Sequence, residues 1–243
     1  MTRSVLQHGR RVTGTTLVLL LSLLCAACQT PQPAAEPPAA ETLSPAPPLA
    51  AAGSIHYRIA AQDSKLRILV YRGGPLAQFG HNHVIAAHGL EGGVYLNPQL
   101  HASGFRFHIP VAGFEVDPTA AREEEGKDFA TRPSPEAVAG TRKNMLGAKV
   151  LDAEHYPEIT VRSLAVNGPE WAPDITVRIT LHGVSRDLVI PVALWREGNR
   201  INVTGTTRLK LTDFGMTPFS VMGGGLRVED GIKVRFHIVA VKD

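Results

Sequence analysis

The chain has 243 residues, 44% of them apolar and 19% charged, enough for one domain with a sizeable core, and carries a formal charge of +3. Arg3, Arg10 and Arg11 supply that whole excess, because no acid occurs before position 28; without them the chain is neutral. A neutral chain with its lysines and arginines scattered among acids lacks the electrostatic footprint of non-specific nucleic-acid binding, which excludes that class of partner.

Residues 1–27 read as a lipoprotein signal peptide. The three arginines precede an apolar run from Leu17 to Leu24 that is too short to span a bilayer as a helix. Ala26 and Ala27, small enough for a processing peptidase, lead into Cys28, whereas the competing Cys25 follows bulky Leu24. Ordinary basic leader charge also explains Arg10-Arg11 without a twin-arginine route. Cys28 is therefore the expected lipidation site and mature N-terminus. The expected location is the periplasm, on a lipid anchor that is the chain's contact with the membrane, and Gln29 beside Cys28 points to the outer membrane. Both cysteines fall in the leader region, so the exported domain has no disulfide even though its compartment permits one. Residues 28–53, nearly all Pro, Ala, Glu and Thr, bury too little apolar surface to offset the entropy of ordering, and form an extended tether.

The domain expected over residues 54–243 opens with a change to period two, the mark of strands with one buried face. In chain order, a strand is predicted near 54–61. Leu66, Ile68 and Val70 then alternate with Lys65 and Arg67, the turn signal Arg72-Gly73-Gly74-Pro75 follows, and another strand is predicted over 83–96. Phe105, Phe107 and Ile109 alternate with Arg106 and His108. Pro118 to Ala153 interrupts the pattern: Ser134 and Pro135 suit an N-cap and first helical position, which predicts a helical insertion running to Ala148. Ile159 and Val161 resume the alternation, followed by Ile175, Val177, Ile179 and Leu181. Further strands are predicted near 187–195 and 200–211, and Ile232, Val234, Phe236 and Ile238 make the last. Glu197-Gly198-Asn199 and Glu229-Asp230-Gly231 mark turns between them.

About eight antiparallel strands with one helical crossover predict an all-β, closed or nearly closed barrel, because closure removes sticky sheet edges. Lipid-facing strands would be apolar outside, whereas here arginine and lysine recur opposite each apolar face. Burying them in hydrocarbon costs about 2–4 kcal/mol each, which excludes a transmembrane barrel.

Several segments are similar to one known family. Ala153-Glu154-His155-Tyr156-Pro157-Glu158-Ile159-Thr160-Val161 resembles the "YP-x-I-x-F" strand opening of YceI-like proteins. Ile179-Thr180-Leu181-His182-Gly183-Val184 resembles their "L-T-I-x-G-V-T" hairpin, and Leu211-Thr212-Asp213-Phe214-Gly215 their late "R-x-D-F-G" corner, with Lys210 and Leu211 in place of the usual arginine pattern. The closing strand from Ile232 fits as well, so the resemblance runs from about Ser54 to Lys242. It implies a lipocalin-like eight-stranded antiparallel barrel that holds a polyisoprenoid, quinone-like or similar amphiphilic lipid, with no catalytic residues to carry over and no cofactor.

The inward sets name the candidate lumen: Ile85, Phe105, Phe107, Ile109, Ile159, Val161, Val177, Ile179, Ile201, Val203, Val234 and Phe236. Any one of these also suits a core position in a barrel packed solid. His81 and His83, two apart, project to one face if they share a strand. Three roles fit them: lining the pocket and hydrogen-bonding a lipid head group, a structural or surface role, or metal binding with His88 or Glu91. The cupin His-x-His pattern continues with glutamate where His88 stands, and its later motif is missing. Asp213-Phe214-Gly215 lacks the other parts of a kinase, and Gly223-Gly224-Gly225 lacks the lysine and strand-to-helix setting of a phosphate loop; they read as a strand corner and a hairpin or mouth loop. No Ser-His-Asp or Cys-His set emerges, so a non-enzymatic carrier is the leading expectation, ahead of a metal-dependent protein and of an envelope interaction protein with a filled lumen.

Overall fold

A computed structural model of the chain describes residues 45–46 and 48–243. The signal peptide, Cys28 and most of the expected tether lie outside the described residues. The strands and helices follow in chain order: β1 Ile55–Ile59, β2 Lys65–Val70, β3 Arg72–Gly73, β4 His83–Ala87, β5 Glu91–Leu96, β6 Gly104–Pro110 and β7 Phe114–Val116. The helices α1 Thr119–Glu124 and α2 Pro135–Leu146 come next. They are followed by β8 Glu158–Asn167, β9 Asp174–Leu181, β10 Val184–Glu197, β11 Arg200–Lys210, β12 Ser220–Val221, β13 Leu226–Val228 and β14 Gly231–Lys242.

The sheet closes on itself. Antiparallel pairing runs β1-β5-β6-β8-β9-β10-β11-β14, and β14 returns to β1 through Ile59↔Ala240, giving an eight-stranded ring. β2 and β7 follow β1 and β6, and β4 precedes β5, across a bend in each case. β14 pairs with β1 at one end and with β2 at the other, through Leu66↔Phe236, on either side of a short 3-10 turn at Ala61–Asp63. The strand predicted over 83–96 is thus two strands. Gly89 sits at φ +71 and the buried Leu90 turns into the core at the bend. The third bend, at Val111–Gly113, lies beside it, with Gly113 O accepting from His88 N at 3.1 Å.

Period two does what it predicts. On β9, Ile175, Val177, Ile179 and Leu181 are buried while Asp174 is exposed and Thr176, Arg178 and Thr180 are half-buried. The outward charges pair with one another: Arg178 with Asp187 at 2.7 Å, Arg67 with Glu124 at 2.7 Å, and Arg235 with Glu125 at 2.6 Å. β2 and β4 depart from the simple pattern because both their faces are covered. Leu69 and Val84 point outward into a second small cluster with Ala121 of α1 and Phe129.

The helical insertion forms where Ser134 and Pro135 place it. Ser134 Oγ accepts from Ala137 N at 3.3 Å and Pro135 opens α2, which ends at Leu146 rather than at Ala148. Of the expected turn at Arg72-Gly73-Gly74-Pro75, the first two residues are instead β3, paired with β13. The end of the tether touches the barrel, since Asn97 Nδ2 donates to Ala52 O at 3.0 Å.

The β9–β10 hairpin turns on His182 at φ 53 and Gly183 at φ 73. A Cβ on Gly183 would lie 2.6 Å from Cε1 of Tyr156, whose ring stands against His182 at 4.8 Å. Gly183→Ala is expected to cost about 1–2 kcal/mol from the left-handed backbone alone, plus a steric part from Tyr156. Urea unfolding in a Tyr156→Ala background separates the two: the steric part vanishes there and the backbone part stays.

Candidate binding cavity

The inward faces do not meet. They enclose a cavity of about 460 Å³, within the range of roughly 300–1,000 Å³ usual for ligand pockets. Each lumen candidate drawn from the alternation, from Ile85 on β4 to Phe236 on β14, borders it, and so do His81 and His83. Phe105 and Phe107 lie stacked along the wall, with ring centroids 5.6 Å apart. Alternation did not supply everything: Thr141, Asn144 and Met145 of α2 also face the cavity, as do Arg72 of β3 and Leu226, Arg227 and Val228 of β13. Phe79, Phe219 and Val221 line it while remaining exposed, and so form an apolar rim.

His81 and His83 are brought together at this rim by a buried network that sequence reasoning missed. Asp117 follows β7 at φ 56, a left-handed conformation that aspartate tolerates better than most residues, and its side chain is completely buried. Its Oδ1 accepts from Val84 N at 2.9 Å and from Arg122 Nη1, and its Oδ2 meets His83 Nδ1 at 2.7 Å. Burial pushes the Asp117 carboxyl up, but the hydrogen bonds from His83 and Val84 and the charges of His83 and Arg122 outweigh it and hold the group below its ordinary value. An ionised Asp117 only accepts, so the proton between them belongs to His83 Nδ1. The partner thereby assigns the tautomer, and a neutral His83 has Nε2 as its acceptor.

Arg122 is buried too and spans the network. It donates to Asn82 O at 2.8 Å and to Thr131 O at 2.5 Å as well as to Asp117. Asn82 pins the segment between the two histidines: its Oδ1 accepts from Arg72 N at 3.0 Å and its Nδ2 donates to Asp128 O at 2.9 Å. The His81 ring meets the His83 ring edge-on with centroids 4.4 Å apart, and His81 Nε2 is buried without a hydrogen-bond partner. Burial first, then the charges of His83, Arg122 and Arg72, lower the His81 pKa against the opposing pull of Asp117, which favours the neutral ring. His88 and Glu91 do not join this group, and His88 pairs instead with Glu115 at 2.9 Å. No sequence signal links Asp117 or Arg122 to the histidines, because the pairing arises only when β7 docks on β4 through Ile85↔Val116.

A family model for the YceI-like domain matches residues 57–240. The chain belongs to the YceI-like family. Among relatives, a UPF0312 protein of Vibrio parahaemolyticus is 33% identical over 107 residues, which are 41% of this chain and 53% of that protein. A UPF0312 protein of Pseudomonas savastanoi pv. phaseolicola is 36% identical over 81 residues, 30% of this chain and 42% of that protein. The chain thus spans about half the length of the relatives it matches. Two solved structures share the fold of this YceI-like chain. BcnA of Burkholderia cenocepacia superposes with a TM-score of 0.56 at 17% identity, over 75% of this chain and 99% of BcnA. A polyisoprenoid binding domain from Saccharophagus degradans gives 0.54 at 15% identity, over 78% of this chain and 99% of that one.

Proposed function

We propose that this YceI-like chain binds a long-chain amphiphilic lipid, polyisoprenoid or quinone-like, in the barrel lumen, as a non-catalytic carrier held in the periplasm by a lipid on Cys28. The observation that carries this reading is the apolar cavity of about 460 Å³ reached through an exposed apolar rim. Each buried CH2 is worth roughly 0.8 kcal/mol gross, and at a net efficiency of about −0.3 kcal/mol per heavy atom a ligand of some tens of carbons reaches nanomolar affinity without special chemistry. The Saccharophagus degradans domain, a polyisoprenoid binding domain, supports the same ligand class. The test is to purify the protein from cells, extract it, and look for bound lipid by mass spectrometry, then titrate it with an isoprenoid probe. Co-extracted lipid and saturable probe binding are expected; neither appearing would end the carrier reading. The anchor is tested separately by Cys28→Ser, which is expected to move the protein from the membrane to the soluble fraction.

A metal-binding reading has one observation in its favour, since ligand atoms of His81, His83 and Asp117 lie within 4.8 Å of one another. Against it, Arg122 already occupies Asp117, and a cation there would face a buried guanidinium. Protein equilibrated with zinc and then dialysed is expected to retain no stoichiometric metal. One equivalent retained by the wild type and lost in His81→Ala/His83→Ala would favour metal instead.

A further inference from the structure

The charged side chains bordering the cavity come together at one place, and their sign is uniform. Among the described residues that border the cavity there is no aspartate or glutamate; the charged or titratable groups beside its single tyrosine are Arg72, His81, His83 and Arg227. Their backbones lie together. Arg72 and Arg227 come from paired strands, with Val228↔Arg72 and Arg227↔Gly73 in register. Arg72 Nη1 donates to Gly80 O, next to His81, and the Leu226 side chain lies over Gly80, where a Cβ would meet it at 2.8 Å. Of the acids nearby, Asp117 is fully buried behind His83 and matched by Arg122, while Glu229 stands outside the cavity and reaches Arg227 only at 4.0 Å. Two guanidinium groups at the mouth of an apolar chamber form a focusing positive field, stronger beside low-dielectric walls than in open water. A guanidinium offers a fork that fits the oxygens of a phosphate or carboxylate, and the unpartnered His81 Nε2 adds one more polar contact.

Resting on the lumen reading, we infer that the polar end of the bound lipid is an anion, a phosphate or carboxylate on the apolar chain, seated among Arg72, Arg227, His81 and His83. A neutral alcohol or quinone head would leave Arg72 with only the Gly80 carbonyl and Arg227 with only the distant Glu229 as partners.

Matched probes test this on the purified, delipidated protein: geranylgeranyl monophosphate against geranylgeraniol, and palmitate against methyl palmitate, each titrated calorimetrically at low and high salt. Each anion is expected to bind at least about tenfold tighter than its neutral partner at low salt, with the gap narrowing as salt rises. Arg72→Gln/Arg227→Gln is expected to weaken each anion far more than its neutral partner, so that the preference disappears. The two anion pairs separate the sources, because a preference confined to one of them names phosphate or carboxylate. Neutral probes binding as tightly as the anions would overturn the head-group assignment and leave lumen binding standing, as would a preference that survives in the double variant. If none of the four binds, lumen binding itself fails. The wild-type comparison decides the matter even if the double variant does not fold.

Discussion

Arg122→Met is expected to lower the unfolding free energy by about 3–5 kcal/mol, because it leaves a buried carboxylate without its cationic partner. The Asp117 side chain has no exposed surface, and Arg122 Nη1 is one of three donors to it. Losing Arg122 also strands Asn82 O and Thr131 O, two carbonyls it now satisfies. Asp117→Ala is expected to cost a similar amount by the converse route, burying an unpaired guanidinium and placing alanine at φ 56. Since both substitutions break one network, the double variant should cost clearly less than the two single losses added together. The pH dependence has a fixed sign. The folded Asp117 carboxyl lies below its ordinary value of 3.8, so its stabilisation is complete above that pH and is lost as the pH falls through the lower, folded value. Wild type should therefore weaken in acid below about pH 4, and Arg122→Met, lacking one of the charges that lowers the group, should lose less of its stability there. Urea unfolding at pH 7 and pH 3 measures both effects. A cost under about 1 kcal/mol for either single variant would mean the network is not the structural clamp described.

The same network shows where sequence reading reaches its limit. Strands such as β9 and β14 are legible because each residue's neighbour two positions away shares its face, so a local pattern encodes a burial pattern. The lumen follows directly, since a closed sheet sends one of those faces inward, and every residue assigned there from alternation borders the cavity. Three things are not local. The aligned bends in three adjacent strands depend on each other, and the one at Gly89 goes unread inside the strand predicted over 83–96. The apolar outer face of β2 and β4 makes sense only when α1 covers it, so Leu69 and Val84 disturb the alternation without announcing why. His81 and His83 are legible as a pair, but the carboxylate that orients one of them sits 34 positions away and is reached through strand pairing. Arg72 and Arg227 escape notice for the same reason: each is one basic residue among many until β3 and β13 pair at the mouth.

Filling the lumen should separate an open carrier from a packed barrel more sharply than any change at the rim. Val161 on β8 and Val203 on β11 pack against the core but are only partly buried, and both border the cavity. In Val161→Phe/Val203→Phe each exchange adds about four carbons to the lumen, the first beside the stacked Phe105 and Phe107 wall, without introducing a polar atom that needs a partner. If about four methylenes of ligand are displaced, the loss is roughly 3 kcal/mol, or about two orders of magnitude in affinity for an isoprenoid probe. Stability answers differently under the two arrangements. Overpacking a filled core costs about 1–3 kcal/mol for strained rotamers and shifted backbone, whereas the same rings placed in a void gain contacts and should leave the protein as stable as before or slightly more so. The expected result is therefore a pair: probe affinity falls about a hundredfold while the urea midpoint holds or rises. A lowered midpoint with unchanged probe binding would place the ligand elsewhere and make the interior an ordinary core.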